Sequence, residues 1–318
     1  MRSHATPASV RVRAAAKVNL HLGVGAARED GFHPLTTVYQ AIGLFDDVTV
    51  ERSDVDRLEL HGESWVETSS IPLDATNLAA RAAALLSAHH GRPLPSSVSI
   101  RKAIPVAGGL AGGSADGAAT LVGIDRAWGL ETPDEVLLEM AADLGSDVPF
   151  ALIGGTALGT GRGELVDPIA DEATWWWVAV PNRVGLSTPQ VYGHFDRLFP
   201  DADPVPPSAD ALIEAVVSGE PVRLARTLHN DLQAPAVDLR PELGELIDQG
   251  EAAGALRGLI SGSGPTVVFL CDGADGAREV AAELGGAGHD VVLVANGPVA
   301  GAHVVHGLAG LGEGGVDG

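Results

Sequence analysis

Lysine is almost missing from this chain: of 20 basic residues only Lys17 and Lys102 are lysines, and the rest are arginine. Where arginine stands nearly everywhere else, a retained lysine suits a position that needs a compact ammonium with a tunable pKa. Each also reads, by itself, as an ordinary solvated side chain. Cysteine is scarcer still. The single Cys271 excludes an internal disulfide and a cysteine-cluster metal site, and its place in the apolar run Val267–Cys271 reads as a buried, inert thiol. No stretch approaches the roughly 18 apolar residues that span a bilayer, and the opening MRSHATPASVRVRAAA has no apolar leader core. A cytoplasmic protein is expected. Positive charge is short as well: 42 acidic residues give a formal charge of −22, which argues against non-specific binding to nucleic acid or to an anionic membrane. Any anionic ligand needs a local site that works against this field.

What the chain does have is glycine in one telling place. The run Pro105–Ala115, PVAGGLAGGSA, is followed by the helical spacing of Ala115–Trp128 and preceded by the alternating Val98, Ile100, Lys102 and Ile104. Strand, glycine loop and helix in that order bring backbone N–H groups and a helix N-terminus to an anion such as phosphate. A glycine-rich surface turn is the plainer alternative. Two familiar phosphate motifs do not fit. No lysine follows the last glycine as in G-x-x-x-x-G-K-[ST], and the G-x-G-x-x-G spacing with its later acidic residue is missing.

At 318 residues and 45% apolar composition the chain has enough material for two cores of ordinary size. Val10–Val24 and Asp47–Leu60 alternate as strands do, separated by the polar segment Gly25–Pro34. Asn77–His89 reads as a helix. Thr132–Gly145 reads as another, with Thr132 as N-cap, Pro133 at the first position and Glu135 completing a capping box. A Gly/Thr-rich strand is expected at Thr156–Arg162, and the polar break Asp167–Thr174 marks a domain boundary. Beyond it come the apolar run Trp175–Val180, a helix from Pro189, a Pro/Asp-rich loop at Pro200–Pro207, and helical stretches near Ala209–Val217, Val222–Leu232 and Arg240–Ala253. Two strands then flank a second glycine loop, Ser261–Pro265, before a helix and a last strand. The triple Trp175–Trp176–Trp177 reads as core, since neighbours on a strand face opposite sides. The acidic, glycine-rich tail from Gly307 reads as disordered.

Five segments share one explanation: AKVNLHL at Ala16–Leu22, DGFH at Asp30–His33, the loop Pro105–Ala115, LGSDVPF at Leu144–Phe150, and SGSGP at Ser261–Pro265. Together they resemble the GHMP kinase superfamily, over about Val10 to Leu270, with order and spacing kept. That resemblance implies an α+β protein of two domains: 1–170, like the second domain of ribosomal protein S5, with the ATP-binding glycine loop, and 171–306, a ferredoxin-like α/β sandwich. The active site would lie in the cleft between them.

Members acting on homoserine, mevalonate or galactose share the glycine loop but not the pair A-K-x-N-L-x-L and D-G-[FY]-H. The pair resembles the branch that phosphorylates a cytidine diphosphate-linked methylerythritol in the non-mevalonate isoprenoid pathway, with ATP and Mg²⁺. The resemblance implies catalytic roles for Lys17 and Asp147, although Asp147 alone reads equally as a helix cap after Gly145–Ser146. ATP would meet Pro105, Val106, Ala107, Gly108, Gly109, Leu110, Ala111, Gly112, Gly113, Ser114 and Ala115, with Asn77 and Lys102 near the adenine.

Asn19 would offer its amide to the substrate, Phe32 and Tyr192 would flank the cytosine, and His33 would bond its edge. Taken singly, these three read as a loop anchor, a helix-face core residue and a turn residue. The loop departs from the common family pattern at Ala107, Ala111 and Ala115; alanine there is compatible with a right-handed helical backbone. Ser114 is a candidate Mg²⁺ contact, and the metal ligands and the oligomeric state stay open. Another GHMP small-molecule kinase, a silent nucleotide-binding relative and, remotely, an NAD-dependent oxidoreductase are the rival readings.

Overall fold

A computed structural model of the chain describes residues 9–106, 108–182 and 184–305. Ala107 of the glycine loop and the tail from 307 therefore lie outside the described residues. The chain opens with β1 (Ser9–Val24), β2 (Leu35–Arg52), β3 (Arg57–Gly62), α1 (Leu78–His89), β4 (Ser96–Lys102) and α2 (Gly112–Trp128). It continues with α3 (Asp134–Leu144), α4 (Val148–Ile153), β5 (Thr156–Thr160), β6 (Leu165–Ile169), β7 (Trp175–Val180), α5 (Thr188–Leu198), α6 (Asp210–Ser218) and α7 (Pro221–Thr227). The last elements are β8 (His229–Asn230), α8 (Gln233–Leu239), α9 (Pro241–Ala252), β9 (Arg257–Ile260), β10 (Val267–Cys271), α10 (Ala274–Gly286), β11 (Leu293–Gly297) and β12 (His303–Val304).

The first sheet runs β12-β1-β2-β4-β3, with β5 pairing β2 and β6, and β8 pairing β1. Alternation sends Val10, Val12, Ala14, Ala16, Val18 and Leu20 of β1 into a core shared with Ala118, Ala119, Leu121 and Ile124 of α2. The helix lies so close to the sheet that a Cβ on Gly123 would stand 2.6 Å from Val50 Cγ2. The opposite face of β1 is covered too, so Lys17, Asn19 and His21 are also buried.

The second sheet is antiparallel in the order β11-β7-β10-β9. Counted along the chain this is 4-1-3-2, the ferredoxin-like arrangement, and α9 and α10 lie against it. The tryptophan run is core, as its strand spacing implies. Trp175 and Trp177 are fully buried in the first core, and Trp176 turns to the second. Trp177 Nε1 donates to Gln40 Oε1 at 2.8 Å, and Gln40 in turn donates to Thr156 Oγ1 and Asp171 Oδ2, fastening β7 to β2 and β5. Two late segments return to the first sheet: β8 runs parallel to β1, and β12 pairs with it antiparallel.

Several local expectations are corrected. The second strand starts at Leu35 and ends at Arg52; residues 53–56 turn, with Asp56 accepting from the Ser96 N–H, and β3 resumes parallel to β4. No capping box forms at Thr132. Its hydroxyl meets His90 Nε2 and its N–H donates to Asp125, so the helix starts at Asp134 behind Pro133. The stretch expected as one helix over Val222–Leu232 is broken by β8, because Asn230 turns inward. Helix α2 begins at Gly112, three residues earlier than expected. No helix among the described residues is long and apolar enough to cross a membrane.

Candidate active site

A cleft of about 1120 Å³ is lined by segments from both sheets, including Lys17, Asn19, Phe32, His33, Asp147 and Tyr192. Lys17 sits on β1, where its backbone N–H donates to Leu110 O at 3.1 Å and so joins the strand to the glycine loop. Its Nζ donates to Asn19 Oδ1 at 2.6 Å and stands 4.0 Å from Asp147 Oδ2. Burial lowers the Lys17 pKa, and the charge of Asp147 offsets part of that fall. Asn19 shares the strand face with Lys17, and its amide also donates to Thr37 Oγ1 at 2.8 Å. One amide N–H of Asn19 makes no hydrogen bond among the described residues.

Asp147 precedes α4, its carboxylate makes no capping bond, and it lines the cleft. Tyr39, stacked on Phe150 at 4.9 Å, forms the wall beside it. Burial, followed by the charge of Asp147, raises the pKa of both Tyr39 and Tyr192.

The glycines of the central loop answer to two demands. A Cβ on Gly109 would lie 2.0 Å from Ser261 O, and one on Gly108 2.5 Å from Thr266 Oγ1, so these two are small because the second glycine loop packs on them. Ser261 Oγ donates to Gly109 O, and Thr266 N–H to Gly108 O, closing the contact. Gly112 and Gly113 line the cleft with Ser114 at the start of α2, where free N–H groups and the helix dipole favour phosphate. Ala111 corrects the expectation of right-handed geometry: it is left-handed at φ 57°. A non-glycine residue there costs about 1 kcal/mol or more. Leu110 and Ala115 turn into the core and do not line the cleft, whereas Pro105 and Val106 do.

Asn77 lines the cleft while capping α1, accepting from Ala79 N–H and donating to Pro72 O. Lys102 is buried at the cleft floor, where its Nζ meets Asp46 Oδ2 at 2.5 Å and Asp116 Oδ2 at 2.7 Å. Burial works against its ammonium, but Asp116 and Asp46 together hold the pKa above the ordinary lysine value. Burial, opposed by Lys102 and aided by Asp46, pushes the Asp116 carboxyl up to about 8. Asp116 Oδ1 is buried without a hydrogen-bond partner among the described residues.

At the other end, Phe32 is 51% exposed, while the His33 and Tyr192 rings lie 5.0 Å apart. His33 Nδ1 is 2.8 Å from the Gly25 carbonyl, which accepts from it, and Nε2 faces Asp196 Oδ1 at 3.6 Å.

Sequence reasoning did not single out Thr37, Tyr39, Asp46, Asp116, Arg162 or Asn230. Asn230 is the strongest of these: its Nδ2 donates to Ile260 O and Gly262 O and holds the second loop against Lys17. The signal available was the polar H-N-D step inside an otherwise helical stretch.

This geometry, two interlocked small-residue loops beside a buried lysine and an aspartate, is that of a phosphoryl-transfer enzyme. Residues 77–155 match the model of the GHMP kinases N terminal domain, and residues 205–290 that of the GHMP kinases C terminal. Among curated relatives, a 4-diphosphocytidyl-2-C-methyl-D-erythritol kinase of a Nocardioides sp. is 64% identical over 86% of this chain and 92% of its own. Its Thermobifida fusca counterpart is 53% identical over 87% and 91%. A crystal structure of 4-(cytidine 5'-diphospho)-2C-methyl-D-erythritol kinase superposes with a TM-score of 0.74 at 32% identity, covering 90% of this chain and 98% of that one. Both sheets therefore belong to a GHMP kinase, an ATP-dependent phosphorylating enzyme. The chain belongs to the 4-diphosphocytidyl-2-C-methyl-D-erythritol kinase family.

Proposed function

We propose that the cleft moves the γ-phosphoryl group of ATP to the tertiary 2-hydroxyl of 4-diphosphocytidyl-2-C-methyl-D-erythritol, releasing ADP and the 2-phosphate. The observation that carries this reading is the buried Lys17 Nζ held 4.0 Å from the uncapped Asp147, between the two glycine loops. A tertiary alcohol is a crowded nucleophile, so alignment and charge neutralisation supply most of the catalysis. Asp147 takes or orients the hydroxyl proton as the oxygen attacks phosphorus, and the bond from phosphorus to the ADP oxygen breaks. Lys17 offsets charge on the moving group. Asn19 fixes the Lys17 ammonium and has one N–H free for the acceptor substrate.

The loop from Pro105 to Ser114 holds the ATP phosphates, with Asn77 and Lys102 shaping the adenine end. Phe32 and Tyr192 take the cytosine between them. His33 bonds the edge of the cytosine ring. Mg²⁺ fits the glycine-loop end of the cleft through hard oxygen donors, the Ser114 hydroxyl and Asp116 Oδ1, which has no hydrogen-bond partner among the described residues, and would neutralise phosphate charge when bound. We place the N-terminal domain at 1–170 and the C-terminal domain at 171–306, and the enzyme in the cytoplasm.

The test is ATP consumption with Mg²⁺ and 4-diphosphocytidyl-2-C-methyl-D-erythritol, run beside homoserine, mevalonate and galactose. Turnover with the cytidine compound alone is expected. Turnover with another alcohol and not with this one would discard the cytosine pocket.

A further inference from the structure

Strand β1 carries Lys17 and Asn19, and it also anchors the residue that shapes the loop beside them. Past Asn19, Leu22 pairs in parallel register with Asn230 of β8. Leu22 O accepts the Asp231 N–H at 2.9 Å, and the Asp231 carboxylate accepts the Val24 N–H at 2.8 Å. Asn230 is thereby buried with its amide orientation set. Its Oδ1 accepts from the Leu232 N–H at 2.9 Å, and its Nδ2 donates to Ile260 O at 2.7 Å and Gly262 O at 2.8 Å. Turning the amide over would set its oxygen against two carbonyls.

A trans peptide sends its C=O and its N–H opposite ways. The bond between Gly262 and Ser263 is trans, so capture of Gly262 O by Asn230 turns the Ser263 N–H away from Asn230. Gly262 and Ser263 both line the cleft, and the Ser263 N–H makes no hydrogen bond among the described residues. Other groups of this loop are occupied: the Ser261 N–H donates to Thr266 O, the Gly264 N–H to Ser261 O, and Ser263 Oγ meets Thr188 Oγ1 at 2.8 Å. The loop also touches the reacting end of the cleft. A Cβ on Gly262 would lie 3.2 Å from Lys17 Nζ and 3.4 Å from Asn19 Oδ1, and its φ of +58° suits glycine.

We propose that Asn230 is a positioning residue for phosphoryl transfer: by holding the Gly262 carbonyl it aims the Ser263 N–H at the phosphoryl group that Lys17 serves. The inference rests on the placement of the reaction at Lys17 and Asp147 given above. An N–H donor aimed in advance meets the charge spread over the phosphoryl oxygens without rearranging during the reaction. It also donates at every working pH, unlike the Lys17 ammonium, whose pKa burial lowers. Asn230 itself sits behind the loop and is not among the cleft-lining residues, so it acts only through the peptide it holds.

The test uses Asn230→Asp, which keeps the shape and the Leu232 contact but replaces the donating group with an oxygen. Its kcat is expected to fall about 10²-fold while KM for ATP and for the cytidine acceptor stays within about threefold. Affinity for ADP with aluminium fluoride, a mimic of the moving phosphoryl group, should fall about tenfold or more while ADP alone stays within about twofold. Loss of ADP binding and Tm along with kcat would show that Asn230 only holds the fold, and a wild-type kcat would show that the peptide needs no such support; either overturns the proposal. A measurement on the wild-type chain does not depend on a variant that folds: the ¹⁵N-labelled Ser263 amide proton should move downfield when ADP, aluminium fluoride and the acceptor bind, and an unmoved signal overturns the proposal. Lys17→Met, measured alongside, separates this inference from the reading beneath it. Wild-type turnover there removes the reaction from Lys17 and takes this inference with it, whereas lost turnover there beside an unaffected Asn230→Asp chain overturns this inference alone.

Discussion

The only two lysines of the chain both reach the same cleft, yet their surroundings are opposite. Lys17 has one carboxylate at 4.0 Å, itself 31% exposed, and burial lowers its pKa. Lys102 has two buried carboxylates in direct contact, and its pKa is raised. The first ammonium keeps unspent charge facing the cleft; the second has none to spare and joins β4 to β2 and α2. Asp46 makes the same junction, since its other oxygen accepts the N–H groups of Ala103 and Ile104. One lysine is proposed to act on the moving phosphoryl group, and the other holds up the floor on which the glycine loop begins.

The largest effect that sharpens this contrast is catalytic. Lys17→Met is expected to lower kcat about 10³-fold with a nearly unchanged ATP KM, read by steady-state kinetics on the folded variant. Next is the structural counterpart. Lys102→Met strips two buried carboxylates of their cation and should cost about 3–5 kcal/mol, seen as a Tm lower by roughly 6 °C or more in thermal unfolding. A Lys102→Met chain of full stability would break the comparison.

A smaller effect belongs to the far end of the cleft: Phe32→Ala is expected to raise KM for the cytidine substrate by the equivalent of about 1–3 kcal/mol of lost stacking. The ATP KM should not follow. The smallest is a titration. With two lysines in the whole chain, ¹³C-methylated ammonium signals are few enough to resolve, and the two should titrate on opposite sides of the ordinary lysine value. In Asp147→Asn the lower midpoint should fall further, because the Coulombic support for the Lys17 charge is gone. The Lys17 charge is then lost, as pH rises, at a lower pH than in the wild-type chain.

The two lysines also show how much a sequence discloses. Their scarcity pointed to both, and the family motifs placed Lys17 with Asp147, Phe32 and His33. The Asp46 and Asp116 partners of Lys102 were not legible, because they lie 56 and 14 residues away and meet it only after β2, β4 and α2 assemble. Glycine was legible as a loop but not in its cause: Gly108 and Gly109 are constrained by Ser261 and Thr266, from a loop about 150 residues later. Thr132 carried good capping chemistry, yet a tertiary contact with His90 took its hydroxyl. Periodicity recovered most of the long elements, though not the Leu35–Asp46 part of β2, and missed the short ones, α4, β6, β8, α8 and β12, whose existence depends on what they pack against.

The most direct test of the proposed chemistry is the turnover of Asp147→Asn with ATP, Mg²⁺ and 4-diphosphocytidyl-2-C-methyl-D-erythritol, with ATP affinity checked on the same sample. The account predicts a fall in kcat of about 10²-fold or more with ATP binding kept. Turnover within a few fold of wild type would contradict it, and would leave the Lys17–Asp147 pair as architecture only.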